Sequence, residues 1–359
     1  MKIDRAIAEI HLDAITNNFT VASAHSPRSK VMAVIKADAY GHGILPVAQS
    51  LTMANAFGVA RMDEAVVLRE GGIKLPITLL EGVLTAAEVD LAISLKLDVV
   101  VHSEHHLTLL KGRSGLGLWI KIETGMHRLG LAPKLWQSYI PQLKCHRILG
   151  LMSHLANADG QDKQSVAAQC AIFSQETESV SMDKSLANSG GILAYPMTHA
   201  EWIRPGIMLY GATPFRDLKT VPSLQPAMTL SAPIIAIQNL EAGNSVGYGG
   251  LWVAKKTCRV AVIAIGYGDG YPREAPADTQ VLVNGVKRNL VGRVSMDMLM
   301  VELVAGDEVS IGDAVCLWGK GLPVEELSAR LQTIPLTLLC GVTKRVPRIY
   351  LAGDNPSGF

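Results

Sequence analysis

The sequence predicts an α/β plus all-β chain: a TIM-like (β/α)8 barrel over residues 1–226, followed by a strand-rich β domain over residues 227–359. Three observations predict it. Short apolar runs alternate with amphipathic helical segments through the first two-thirds, about eight times over, which is the order of a parallel barrel. After about Gln225 the texture changes to closely spaced strands punctuated by Asn-Gly and Gly-Asp turns. A length of 359 residues also suggests two domains. A doubly wound open sheet is the rival for the first part, because periodicity alone does not show closure.

The apolar runs are, in order, VMAVIKA, AFGVAR, ITLLEG, LDVVVH, GLWIKIETG, ILGLMSH, KSLANSG and WIRPGIMLYG. The first, Val31–Ile35, is continuously apolar with β-branched members, as a strand buried on both faces should be. Between runs, Met62–Gly72 and Thr85–Leu97 favour helix; Asp63 and Thr85 are candidate N-caps, and Gly71–Gly72 a stop signal. Pro222 and Pro226 mark the boundary. Beyond it LSAPIIAIQNL, TCRVAVIAIGYG, TQVLVNGVKRNLVGRVSMDMLMVEL and DEVSIGDAVCLWG read as strands. Asn284–Gly285 is a hairpin turn, and a short helix is expected near Val324–Leu331.

Composition excludes several classes. A hydrophobic share of 48% with 18% charged residues is that of a packed globular protein. A net charge of +1 provides no global pull toward nucleic acid or an anionic membrane. The five cysteines are odd in number, dispersed and without a CxxC pair, which argues against a disulfide framework or a zinc site and fits a reducing cytoplasm. The charged start MKIDRAIAEIHLDAITNNF makes a poor signal peptide. No apolar run reaches the ~18 residues of a bilayer span. The expectation is a cytoplasmic protein with no membrane or nucleic-acid partner. HSEHH, His102–His106, lacks further ligands nearby and reads as a helix start with solvent-facing imidazoles, so no metal is expected.

In a βα barrel the working side chains sit at the carboxyl ends of the strands. Those ends carry Lys36 and Tyr40, then Lys121 and Arg128, His154, Asn188 with Ser189, and Arg204. A strand-end lysine alone is ordinarily one that snorkels to solvent. At a barrel mouth it becomes an amine able to form a Schiff base with a substrate or with pyridoxal phosphate. NSGG, Asn188–Gly191, and RPGIMLYG, Arg204–Gly211, can seat a phosphate through Ser189 and the backbone N–H groups of Gly206 and Ile207. Arg204 can grip that phosphate or face a pyridine nitrogen, which it would not protonate as a carboxylic acid does. Arg128 has a structural alternative, pairing with Glu123 or Asp63, and Tyr267 and Tyr271 look like hairpin aromatics.

AVIKADAYGHG, KIETGMHRLG, RPGIMLYG, VGYGG, GYGDGYPR and GRVSMD resemble, in order and along nearly the whole chain, the pyridoxal-phosphate-dependent alanine racemases. The resemblance implies interconversion of L- and D-alanine by two bases: Lys36, bound to the cofactor, for D-alanine, and Tyr248 for L-alanine. It implies that Tyr40, Ser189, Gly206, Ile207 and Tyr350 hold the phosphate, that His154 lies against the ring, and that Arg204 meets the pyridine nitrogen. Arg128 and the Met296 backbone would take the substrate carboxylate, and Tyr267 would narrow the entrance. Tyr248 and Met296 would come from the partner subunit of a homodimer. Three alternatives stand beside it: a broad-specificity racemase, a barrel-fold pyridoxal-phosphate decarboxylase, and a non-catalytic carrier of the cofactor. Decarboxylation would favour an acidic partner for the nitrogen where this chain has Arg204, and a carrier would not need the β domain. Two positions are distinctive: Asp38 stands where many relatives have asparagine, and Lys121 matches a position that some relatives carry as a carbamate.

Overall fold

The first strand, β1 (Ile7–His11), was not visible in the charge-broken N-terminal stretch, and it does not enter the barrel. The barrel strands are β2 (Lys30–Val34), β3 (Ala56–Val59), β4 (Ile77–Leu79), β5 (Asp98–Val101), β6 (Gly117–Lys121), β7 (Arg147–Met152), β8 (Asp183–Ser185) and β9 (Trp202–Ile203). In the computed structural model, which describes residues 2–160, 162–215 and 223–352, all eight are parallel and β2 pairs with both β3 and β9. The ring is closed, which excludes the open sheet. Pro222 and the stretch from 353 onward lie outside the described residues.

Alternation along each strand builds the barrel and its mouth together. Met32, Ala56, Val100, Trp119 and Met152 form one buried cluster with Leu80, Leu149 and Trp202 packed on it. These side chains from six strands plug the barrel, with Trp119 and Trp202 edge to face at 5.7 Å. Because side chains repeat every second residue, the next inward positions lie one layer above the plug. On β6, and just past the ends of β7 and β9, those positions are Lys121, His154 and Arg204, two residues beyond Trp119, Met152 and Trp202. On β2 the layer above Met32 is Val34, and Lys36 follows.

The second unit contains β10 (Met228–Leu240), β11 (Ser245–Val246), β12 (Trp252–Val253), β13 (Cys258–Ile263), β14 (Gln280–Val283), β15 (Val286–Val291), β16 (Leu299–Leu303), β17 (Ala314–Trp318) and β18 (Arg348–Leu351). β10 is the seam, pairing antiparallel with β1, β13 and β17, while β1 runs parallel to β18. Asn284 and Gly285 link β14 to β15 with φ of +48° and +77°, the left-handed pair of a type I′ hairpin. Helices Val324–Arg330 and Pro335–Gly341 precede β18 and return toward the barrel. The Glu325 carboxylate accepts the Thr213 N–H at 2.9 Å.

Some local expectations need correction. Thr85 caps its helix, with Oγ1 accepting the Glu88 N–H at 3.2 Å, but Asp63 caps nothing. Its neighbour Glu64 takes the N–H groups at that helix start instead, because the third helical position can reach back over the first turn. His106 is buried, not solvent-facing: its Nε2 accepts the Val83 N–H, and Ser103 Oγ meets its Nδ1 at 3.0 Å. Tyr271 is likewise no hairpin aromatic but a fully buried ring stacked on Trp318, while Tyr267 sits in a 3-10 turn. All five cysteines are free. Among the described residues, no helix is long and apolar enough to cross a membrane, and no cluster of three or more His, Cys, Asp or Glu side chains is arranged to hold a metal.

Candidate active site

At the carboxyl ends of the barrel strands lies a cavity of about 1130 Å³. Lys36, Tyr40, Lys121, Arg128, His154, Asn188, Ser189, Arg204, Gly206 and Ile207 all line it. Residues predicted from separate strand ends are thus brought to one chamber. Ile334, Pro335 and Leu336, from the C-terminal unit, close one side.

Lys36 is half-buried where β2 ends, and the chain then does something that the sequence does not signal. Ala37, Asp38, Ala39 and Tyr40 all have φ of +53° to +54°, a left-handed turn made without glycine. For L-residues this costs roughly 1–2 kcal/mol each. Hydrogen bonds hold the turn. Asp38 Oδ1 accepts the Ile44 N–H at 2.8 Å, Gly43 N donates to the Asp38 carbonyl at 2.9 Å, and buried His42 donates from Nδ1 to the carbonyls of Ala39 and Tyr40. Gly41 and Gly43, with φ of +84° and +91°, then carry the chain away. The turn swings Tyr40 into the chamber, its ring 4.7 Å from that of Tyr210, whose hydroxyl donates to the Val34 carbonyl.

One end of the chamber is built for an anion. Ser189 Oγ accepts the Gly206 N–H at 2.9 Å, and a Cβ on Gly206 would stand 2.8 Å from the Tyr40 hydroxyl. Only glycine leaves that approach open. Burial pushes the Tyr40 phenol well above its ordinary value, so it stays a hydrogen-bond donor. The other walls are cationic. Lys121 is pulled down to about 8, first by burial and then by Arg204, Arg128 and Lys36. Burial, followed by the same cations, holds His154 well below its usual range, so its imidazole is neutral. Arg204 is buried and lowered to about 10 by burial alone, which leaves it protonated at neutral pH. It donates to Ser185 Oγ at 2.6 Å and the Ser153 carbonyl at 2.5 Å, and approaches His154 Nδ1 at 3.3 Å. Such a chamber suits a ligand with a phosphate at one end, a planar ring beside His154 and Arg204, and a carboxylate near Arg128.

Arg128 joins none of the ion pairs among the described residues: Asp63 pairs with Arg61, and Glu123 accepts the backbone N–H groups of Gly125 and Met126. Four predicted residues, Tyr248, Tyr267, Met296 and Tyr350, do not line this chain's chamber. Tyr248 is 73% exposed on a 3-10 turn, and Met296 is 52% exposed beside Tyr267 and Gly268, whose N–H groups donate to the Ser295 and Met296 carbonyls. Tyr350 lies on β18, 38% exposed, and a Cβ on Gly43 would stand 2.0 Å from its hydroxyl. Sequence reasoning missed Glu64, whose Oε1 accepts the Ala37 N–H at 2.5 Å. It also missed Tyr210. The only prior signal was the position of Glu64 in a helix start that follows a barrel strand.

Residues 10–214 match the family described as "Alanine racemase, N-terminal domain" and residues 227–350 "Alanine racemase, C-terminal domain". The alanine racemase of Aeromonas hydrophila subsp. hydrophila is 43% identical over 354 residues, spanning 96% of this chain and 99% of that protein. The alanine racemase of Coxiella burnetii is 43% identical over 362 residues, spanning 97% and 100%. Among solved structures, the biosynthetic alanine racemase of Pseudomonas aeruginosa superposes with a TM-score of 0.92 at 40% identity, covering 98% of this chain and all of that one. The alanine racemase of Bartonella henselae with covalently bound pyridoxal phosphate superposes with a TM-score of 0.88 at 32% identity, covering 97% and 100%.

Proposed function

This chain belongs to the alanine racemase family, pyridoxal-phosphate-dependent isomerases that interconvert L- and D-alanine, and we propose how its own residues share that work. The cofactor, when bound, draws electron density from the substrate's α-carbon and makes its proton removable. Tyr40, Ser189, the N–H groups of Gly206 and Ile207, and Tyr350 hold its phosphate. Neutral His154 lies against the ring without adding charge. Arg204 would donate toward the pyridine nitrogen and, being unable to protonate it as a carboxylic acid would, would keep the electron sink weak. That favours prompt return of a proton over broader carbanion chemistry.

Inversion needs a proton removed on one face and delivered on the other. Lys36 would hold the cofactor and would take and return the α-proton of D-alanine. Tyr248 of the partner subunit does so for L-alanine on the opposite face. Arg128, with the backbone of Met296 of the partner subunit, receives the carboxylate. The active unit is therefore a homodimer with shared sites. Residues 1–226 bind the cofactor, and residues 227–359 complete the site of the other copy. The high exposure of Tyr248 and Met296 and their absence from this chain's chamber support that exchange. A cytoplasmic enzyme that supplies D-alanine for peptidoglycan, or consumes alanine catabolically, fits this reading.

The observation that carries the assignment is the convergence of Lys36, Arg204 and the Tyr40–Ser189–Gly206 cradle on one chamber of a closed barrel. Purified protein supplied with pyridoxal phosphate should racemise L-alanine faster than L-serine or L-arginine and show visible absorption. Lys36→Ala should remove both the activity and the visible band. Retained racemisation in that variant, or carbon dioxide release as the main reaction, overturns the assignment.

A further inference from the structure

We propose that Glu64 is a positioning residue for Lys36: its carboxylate clasps the peptide that follows the lysine and so holds the amine at the chamber. The proposal rests on the role assigned above to Lys36. Glu64 is the third residue of the helix Met62–Glu70, which follows β3, and both of its oxygens are engaged by backbone donors. Oε1 accepts the Ala37 N–H at 2.5 Å; Oε2 accepts the N–H groups of Ala60 at 2.7 Å and Arg61 at 3.2 Å. One side chain therefore ties the tip of β3 to the tip of β2.

The Ala37 N–H belongs to the peptide plane that begins at Lys36, so fixing it fixes the backbone torsion on which the lysine side chain is mounted. That N–H lies in the first turn of a short helical segment, where amides have no internal acceptor. The next four residues occupy a left-handed conformation that L-residues leave readily unless neighbours over-determine it. Asp38 acts from its far end; at the end where Lys36 sits, the Ala39 N–H donates to the Ile35 carbonyl at 2.9 Å and Glu64 alone takes the Ala37 N–H. Three donors also require an acceptor on both oxygens. A carboxylate has that; an amide has one oxygen, and its NH2 group would confront an N–H on the other side.

Glu64→Gln is accordingly the diagnostic change, preserving shape while removing one acceptor. Its oxygen should stay with the two donors at Ala60 and Arg61, which leaves Ala37 facing the NH2 group. With cofactor saturating, kcat should fall at least tenfold in both directions while KM for alanine stays within threefold. The pyridoxal phosphate dissociation constant should rise at least tenfold, and the visible circular dichroism per bound cofactor should change. Asp162→Ala is the control for a merely lost cap, because Asp162 accepts the Ser165 N–H at 3.0 Å at another helix start and lines no part of the chamber. It should lower the melting temperature and leave all of those readouts alone. Glu64→Gln that keeps kcat and cofactor affinity within twofold, or that changes only the melting temperature as Asp162→Ala does, overturns the proposal. If the variant does not fold, hydrogen exchange in the wild-type holoenzyme decides: the Ala37 amide should exchange at least a hundredfold more slowly than an exposed amide, and free exchange overturns the clasp. Borohydride reduction of wild-type holoenzyme separates the two levels. No cofactor adduct on Lys36 overturns both the mechanism and this proposal; an adduct on Lys36 with Glu64→Gln indistinguishable from wild type overturns the clasp alone.

Discussion

At the residue scale, chemistry in this chamber is set by which charges burial permits. Lys121, Arg128, Arg204 and Lys36 face one another, and the neutral state of His154 relieves the crowding. A phosphate and a carboxylate supply the anions that this field favours. A phenolate on the opposite face would be stabilised by the same field, which matters because free tyrosine, with a pKa of about 10, is a weak base at neutral pH. Tyr248→Phe should therefore slow α-proton exchange of L-alanine at least tenfold more than that of D-alanine, measured in deuterated water. Equal losses for the two enantiomers would contradict the assignment of faces.

At the element scale, the left-handed turn Ala37–Tyr40 is the unusual feature, and four residues at roughly 1–2 kcal/mol each make it expensive to hold. Asp38 acts there as a backbone acceptor, with Oδ1 on the Ile44 N–H. Asparagine keeps that acceptor and tolerates left-handed φ well, so Asp38→Asn should shift stability by less than about 0.5 kcal/mol and leave racemisation within twofold. Asp38→Ala should lose about 1 kcal/mol in chemical denaturation. Two buried imidazoles brace loops in a similar way, His42 in this turn and His106 beneath Val83, and burial lowers each to about 4. At pH 7 both are neutral in the folded chain and mostly neutral in the unfolded one. Below the ordinary value of about 6.5 the unfolded chain binds protons that the folded chain refuses, so stability falls with pH until about 4. Each imidazole accounts for on the order of 3 kcal/mol over that window. His106→Gln, which keeps an acceptor for Val83, should flatten the pH dependence of the unfolding free energy by about one proton. An unchanged slope would show that His106 titrates normally in the folded protein.

At the scale of the whole molecule, β1 binds the two units together, since the chain starts in the second sheet, leaves to build the barrel, and returns at β10 beside its own beginning. The chamber floor and walls come from the barrel and one side from Ile334–Leu336, while Tyr248 and Met296 face outward. Mixing separately inactive Lys36→Ala and Tyr248→Phe subunits should consequently restore activity, because one of the two sites in each heterodimer would hold both intact bases. About a quarter of wild-type activity is expected from random pairing. Verified heterodimers without activity would mean that each site is built from one chain.

The sequence by itself determined the eight barrel strands, the switch to β structure and the strand-end polar residues, because burial and alternation are local, periodic signals. VMAVIKA and WIRPGIMLYG sit where they were read, with Lys36, Lys121, His154 and Arg204 at or just beyond strand ends. The motifs that resemble the family added roles to those positions. Other features could be decided only by tertiary structure. ADAY carries no glycine, so nothing local announces its positive φ; the conformation exists because Glu64, Asp38 and buried His42 supply acceptors and donors that a free peptide lacks. His106 reads as a surface histidine beside His105, yet packing against Gly82 and Val83 buries it. β1 looks too charged for a core strand until β10 and β18 flank it. Each of these depends on contacts across long sequence separations, whose energies appear only when the chain has closed on itself.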